Sequence, residues 1–310
     1  HERLDKFADS WNLGLRELLN TFKRWVVVNR NTHWLFVFIF EPFSAIVDFA
    51  LRRVEGFLLW LPWPVVLLAF FFLGERIGSL RLALLTVACL LPMGLFGLWA
   101  ESMQTLALMV MAVLVAAAMG IPLGIWAARS RRGEQLLRPL LDGMQTLPAL
   151  VYLIPVLLFF GVARVPSLIA TVIYALPPII RLTSLGIRQV PGEIIEAADA
   201  FGTTEQQLLR KVQLPLALPS ITLGLNQTIM MALSIVVIAA LIGAGGLGDV
   251  VLKALRRLQV GQALEAGLAI VLLAILLDRL SAALSRLERH SRPRFQGFRL
   301  FGEKRRGRAG

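Results

Sequence analysis

Residues 102–128 read SMQTLALMVMAVLVAAAMGIPLGIWAA, 27 residues without a charge between Glu101 and Arg129. A helix needs about 20 apolar residues to cross the hydrocarbon of a bilayer. This stretch is long enough, and its apolar run is continuous rather than alternating, so a barrel strand is excluded. Working outward, further charge-free runs lie at 56–74, 82–100, 143–163, 165–180, 212–248 and 266–277. The run 212–248 opens with Pro215 and Pro219 and closes with the glycines of 243–248, so its helix is expected at roughly 216–242. The short run 266–277 is expected to extend to about 263–283, leaving Asp278 and Arg279 near an interface. The expectation is an all-α polytopic membrane protein, a bundle of about seven transmembrane helices.

Composition agrees. Of 310 residues, 57% are apolar, and 25 glycines add about 8 points, against about 45–50% with glycine included in a soluble domain. Charged residues are 17%, against roughly 25% in an ordinary globular chain. A soluble cytoplasmic enzyme, a disordered chain and a disulfide-stapled scaffold are excluded. Cys89 stands alone, so no intrachain disulfide forms.

The net charge is +12, and its placement orients the spans. Arg129, Arg131, Arg132 and Arg138, then Arg188, Arg210 and Lys211, then the basic tail 286–310 are separated by even numbers of spans. All three segments are expected to be cytoplasmic, which puts the N-terminus of a seven-span chain outside. Arg3, Lys6, Arg16, Lys23, Arg24 and Arg30 pull the other way, and a span at 34–50 would reconcile them. That segment holds Glu41, Pro42 and Asp48 and is read as interfacial or re-entrant. The chain thus divides into an N-terminal polar and amphipathic region 1–55, a first span with its short loop 56–79, a transmembrane domain 80–285 and a basic cytoplasmic tail 286–310.

Catalytic groups are missing. His1, His33 and His290 all lie outside the expected spans, and no HExxH, GxSxG or CxxC occurs, so no catalytic or metal site is expected. No GxxxxGK[ST] loop occurs, so this chain should not bind or hydrolyse ATP itself. Gly243 to Gly248 fits GxGxxG but ends a membrane helix, not the first strand of a βαβ unit, and is read as a turn on the outer face. Lys304-Arg-Arg-Gly-Arg308 is read as positive-inside retention at an anionic leaflet rather than as a nucleic-acid patch.

Between two spans lies PGEIIEAADAFGTTEQQLLRKVQLP, residues 191–215. Pro191-Gly192 breaks the chain, and Glu193 to Phe201 favours a helix with acids in its first turns. Gly202 interrupts it, Thr203 or Thr204 can cap a second helix over Gln206 to Val212, and Pro215 enters the next span. Two short helices lying flat on the cytoplasmic face suit docking onto another protein; an ordinary amphipathic surface loop is the alternative.

Here the residues resemble a family. Glu196-Ala197-Ala198, then Gly202, then Val212-Gln213-Leu214-Pro215 is similar to the EAA loop of ABC importer permeases, with Val212 where isoleucine is usual. Leu141 to Pro148, Val151 to Pro155, Tyr174 to Thr183, Leu185 to Arg188, Asn226 to Thr228, Ser234 to Ile238 and Ile242 to Gly248 resemble the glycine betaine/proline betaine branch, over about 80–285. Choline and carnitine permeases share much of this pattern. The resemblance implies a type I, MetI-like permease fold in the cytoplasmic membrane. It implies two partner ATPases carrying ATP and Mg, a second permease copy and an extracytoplasmic binding protein. It also implies coupling roles for Glu193, Glu196, Ala197, Ala198, Gly202, Leu214 and Pro215, with the Pro177-Pro178 pair allowing its span to bend.

Several polar residues are candidates for the solute path. Tyr152 and Tyr174 sit near the middles of consecutive spans, where an interfacial belt does not explain them. They either face the path and guide a cation weakly, or give their hydroxyls to neighbouring backbone. Gln145, Asn226, Gln227 and Ser234 either line the path or join helices. Asp278 is either an intramembrane acid or the partner of Arg279. Lys253, Arg256 and Arg257 on the outer segment could dock an acidic patch of the binding protein, or form a solvated helix face.

Overall fold

The computed structural model describes residues 15–29, 32–161, 163–240 and 242–290. Helix α1 covers Leu15–Asn29, and a π-helical turn, Phe36–Phe40, runs directly into α2, Glu41–Trp60. Then follow α3 (Trp63–Ile77), α4 (Leu80–Leu95), α5 (Trp99–Arg129), α6 (Arg131–Thr146), α7 (Ala149–Phe160) and α8 (Arg164–Arg188). Short helices α9 (Gly192–Ala200) and α10 (Glu205–Gln207) lead through a second π-helical turn, Leu208–Gln213, into α11 (Leu214–Ala240). Helices α12 (Gly246–Arg256) and α13 (Val260–His290) complete the described chain, and no strand occurs among the described residues. The tail from residue 291 onward, His1, and the six basic residues before 31 other than Arg16, Lys23 and Arg24 lie outside the described residues.

Four helical stretches are long and apolar enough to cross a membrane: Trp99–Arg129, Arg164–Arg188, Glu205–Ile235 and Val260–Leu284. Counting each of two bent helix pairs as one crossing makes six, with the shorter apolar α4 beside them. Helix α8 is central. Of its most apolar window 56% is buried, against 22% for α13, so the other helices surround α8 while α13 faces outward. On α13, Leu264, Leu268, Val271 and Ile275 form an exposed stripe at helical spacing.

Small residues let the centre close. Gly120-Ile-Pro-Leu-Gly124 is a GxxxG pattern on α5. A Cβ at Gly120 would lie 2.2 Å from Ile179 Cγ2, and one at Gly124 2.6 Å from Thr183 Cβ and 2.8 Å from the Ile180 carbonyl oxygen. Helix α8 also meets α11, where Ile179 and Ile187 pack with Ala217 and Ile221. A second core joins α3, α4, α5, α12 and α13 around Val66, Leu90, Met93, Met103, Leu247 and Leu273.

Prolines reshape two of the expected spans. The run 143–163 was expected to be one helix. Instead Pro148 holds Leu147 extended (φ −73°, ψ 135°), and α6 and α7 meet at 106°. A residue before proline is driven from the α region by the ring, so the break falls there. The run 56–74 divides in the same way at Leu61-Pro62, where α2 and α3 meet at 102°, and α2 runs through the 55/56 boundary. Pro177 and Pro178, expected to let their span bend, lie buried within an uninterrupted α8. Helix α8 also outruns the charge-free 165–180. Its Arg181 and Arg188 find carboxylates on α6, Asp142 at 2.5 Å and Glu134 at 2.6 Å.

At the opposite end of α8, Arg164 pairs with Glu55 of α2, which is 8% exposed. The glycine segment 243–246 turns the chain there, with positive φ at Gly243, Gly245 and Gly246. The N–H groups of Gly246 and Leu247 donate to Gln104 Oε1 (3.1 Å) and Thr105 Oγ1 (2.9 Å) of α5. These side chains satisfy the free donors at the start of α12, so GxGxxG is here a helix junction.

Candidate coupling site

Segment 191–215 forms its two helices for identifiable local reasons. Pro191 is the N-cap of α9, at φ −56° and ψ 135°, and Glu193 occupies the first turn. The helix ends in a Schellman motif: the Thr203 N–H donates to the Ala198 carbonyl (3.3 Å) and the Gly202 N–H to that of Asp199 (2.9 Å). This closure needs a residue of positive φ at Gly202, which sits at +74°. The Thr203 hydroxyl also donates to Ala198 O (2.9 Å). The next residue, Thr204, caps α10 in a capping box, accepting from Gln207 N–H (3.4 Å) and donating its own N–H to Gln207 Oε1 (3.0 Å). Of the two threonines offered by the sequence, Thr204 is the cap.

Pro215 enters the spanning helix α11, as expected, but that helix is not separate from α10. The Leu214 N–H donates to Leu209 O in the π-helical turn, and the helix continues from Glu205 into α11. Proline has no N–H and crowds the carbonyl four residues back; the wider i→i−5 turn immediately before it absorbs that crowding. The second short helix is therefore continuous with a spanning helix.

Helix α9 buries none of its residues. Glu193, Glu196 and Ala197 are exposed, Ala198 is half-buried, and Phe201 is 91% exposed. An apolar ring so open on a well-capped turn lacks an intrachain packing reason. The loop is braced from beneath: Arg129, at the end of α5, pairs with Glu205 at 2.5 Å. Arg188 donates to Ala127 O (2.5 Å) and pairs with Glu134. A cavity of about 470 Å³ opens between these elements, lined in part by Ile187, Ile195, Thr203 and Leu208. Arg129, Glu134, Arg188 and Glu205 were not singled out from the sequence as a set, because ion pairs 54 to 76 residues apart have no local signature.

The other candidates fall in separate places. Tyr152 and Tyr174 meet edge to face, centroids 5.7 Å apart. Tyr152 is 6% exposed and donates its hydroxyl to Met144 O, the backbone role the sequence left open. Tyr152→Phe is expected to cost about 1 kcal/mol, read as a modest fall in melting temperature. Gln145 is exposed on the last turn of α6. Asn226 Oδ1 accepts from Ser281 Oγ (2.5 Å), joining α11 to α13, and the Ser234 hydroxyl returns to Met230 O on its own helix (2.9 Å). Gln227 is exposed, and Asp278 lies 3.9 Å from Arg279. On α12, Lys253 pairs with Asp249 (2.6 Å), with Arg256 and Arg257 exposed beyond it.

A bundle of apolar helices around a glycine-packed centre, with an exposed pair of short helices at one end, fits a subunit of a membrane transport system. Residues 120–290 match the family of the binding-protein-dependent transport system inner membrane component, and the chain belongs to that family. It is 48% identical over 248 residues to the glycine betaine/proline betaine transport system permease protein ProW of Escherichia coli K12, covering 80% of this chain and 70% of that protein. It is 43% identical over 258 residues to the glycine betaine transport system permease protein OpuAB of Bacillus subtilis 168, covering 82% and 92%. The fold is similar to a chain of an inward-facing MetNI methionine ABC transporter, with a TM-score of 0.55 at 23% identity over 63% of this chain and 96% of that one.

Proposed function

We propose that this chain is the permeation subunit of an ATP-driven importer that carries glycine betaine, proline betaine or a related quaternary amine such as choline or carnitine across the cytoplasmic membrane. The observation that carries the coupling role is α9 with Phe201: a capped helix that buries nothing of its own, joined by one tight turn to α10, which is continuous with α11. Its partners are two ATPase subunits, which bind ATP and Mg, and each would receive this loop in a cleft. A second copy of the permease completes the path. Glu193, Glu196, Ala197 and Ala198 present the contact face, Gly202 holds the turn that aims it, and Leu214 and Pro215 transmit its movement into α11. An extracytoplasmic binding protein delivers the solute at the opposite end, where Lys253, Arg256 and Arg257 offer positive charge to an acidic patch. Within the bundle the Tyr152–Tyr174 pair, Gln145, Asn226 and Ser234 are the candidates for weak contact with the passing solute.

The brace beneath the loop gives a direct test. Arg129→Ala and Glu205→Gln should each change stability by less than about 1 kcal/mol, because the pair is exposed. Each should also lower solute-stimulated ATP hydrolysis by the reconstituted complex, and the double variant should be no worse than the weaker single. Additive losses would show that the two residues act separately.

A further inference from the structure

The geometry points to a second recognition site for a quaternary ammonium group, formed where the N-terminal segment meets the end of α7. Phe36 and Phe40 stand four residues apart on the π-helical turn, and Phe159 and Phe160 close α7. The Phe40 ring stacks on Phe159 (5.5 Å, 11°) and meets Phe160 edge-on (5.2 Å), and Phe36 lies 6.3 Å from Phe159. These four rings, with Val27, Glu41 and Ser44, line a cavity of about 470 Å³. Glu41 makes no ion pair among the described residues.

Rings with one carboxylate are the right chemistry for an alkylated ammonium. Such a cation cannot donate a hydrogen bond through its nitrogen, so it needs aromatic faces and a counter-charge rather than a set of oxygen ligands. A small inorganic cation needs several oxygens, and this cavity offers only those of Glu41 and Ser44 beside the backbone. The cavity lies at the end of the bundle opposite the coupling loop, since α7 ends at Phe160, four residues before Arg164 at the far end of α8. It is distinct from the Tyr152–Tyr174 pair. Phe36, Phe40 and Glu41 also fall outside residues 120–290, so this wall is not part of what the family match covers. The choice of ligand rests on the importer reading. The same chemistry is presented by a free betaine and by the choline headgroup of a lipid.

The test is equilibrium binding of radiolabelled glycine betaine to the reconstituted complex with the binding protein omitted. Tetramethylammonium and the neutral tert-butyl isostere of choline serve as competitors. The expected result is saturable binding displaced by tetramethylammonium and not by the isostere. Phe40→Leu and Phe160→Leu should each weaken it about twofold to thirtyfold, and Glu41→Gln, which keeps the side-chain shape, should weaken it as well. Equal competition by the neutral isostere, or binding unchanged in all three variants, overturns the site, as does no binding at all. Repeating the measurement with phosphatidylcholine in place of phosphatidylethanolamine separates the sources: loss of soluble binding assigns the cavity to a lipid headgroup, and equal binding assigns it to a free solute. Solute-stimulated ATP hydrolysis with the binding protein present is measured in parallel. If it persists while the binding assay fails, this site falls and the importer reading stands.

Discussion

Gly202→Val is expected to abolish solute-stimulated ATP hydrolysis in a complex that still assembles. The φ of Gly202 is +74°, and nothing lies within 4 Å of where its Cβ would be. The substitution therefore causes no clash, and its whole effect is on the backbone. A β-branched side chain in the left-handed region costs about 1–3 kcal/mol. The cheapest relief is to give up the Schellman closure that aims α9 relative to α10. Because α9 buries nothing, the bundle should keep its stability, while the angle offered to the ATPase is lost. The expected fall in stimulated hydrolysis is roughly tenfold or more, the equivalent of about 1.4 kcal/mol or above. Gly202→Asn is the control, since asparagine tolerates this region, and it should keep most of the activity. Equal loss in both variants would mean that the surface at 202, rather than the turn, matters.

Gly124→Leu should act in the opposite way, preventing assembly and leaving no active complex to assay. A Cβ there would meet the Ile180 carbonyl oxygen at 2.8 Å, and a helix backbone cannot move aside as a side-chain tip can. Overpacking typically costs about 1–3 kcal/mol and more where backbone must shift. Here the shift separates α5 from α8, the helix on which the bundle is centred. The expected outcome is loss of the monodisperse peak in detergent, or a fall of many degrees in melting temperature. Gly56→Leu on α2, where a Cβ meets nothing within 4 Å, should fold normally. Normal folding of Gly124→Leu would refute the close packing of α5 and α8.

The elements most legible in the sequence were those fixed by local chemistry. The charge-free 102–128 gave α5, and the order proline, helix, glycine, threonine gave the coupling segment. What escaped was set by partners distant in sequence. Helix α8 runs on past Arg181 and Arg188 because α6 supplies Asp142 and Glu134, and one sequence carries no mark of that pairing. Pro148 was visible, yet an unbroken apolar run conceals a turn, since hydropathy does not record direction. Pro177 and Pro178 were read as a point where the span can bend and Pro215 as the entry to a span separate from the second short helix. Whether proline breaks a helix depends on what surrounds the freed carbonyl, in the second case a π-helical turn. The aromatic cavity was hidden because its walls come from residues more than 100 apart in the chain.

The central claim is that solute delivered at one end of the bundle is coupled to ATP hydrolysis at the other. The most direct measurement is ATP hydrolysis by the reconstituted complex with its cognate binding protein, in the presence of glycine betaine, proline betaine, choline or carnitine. Stimulation by at least one of these amines, lost in Gly202→Val, is the expected result. A verified intact complex stimulated by none of the four would contradict it.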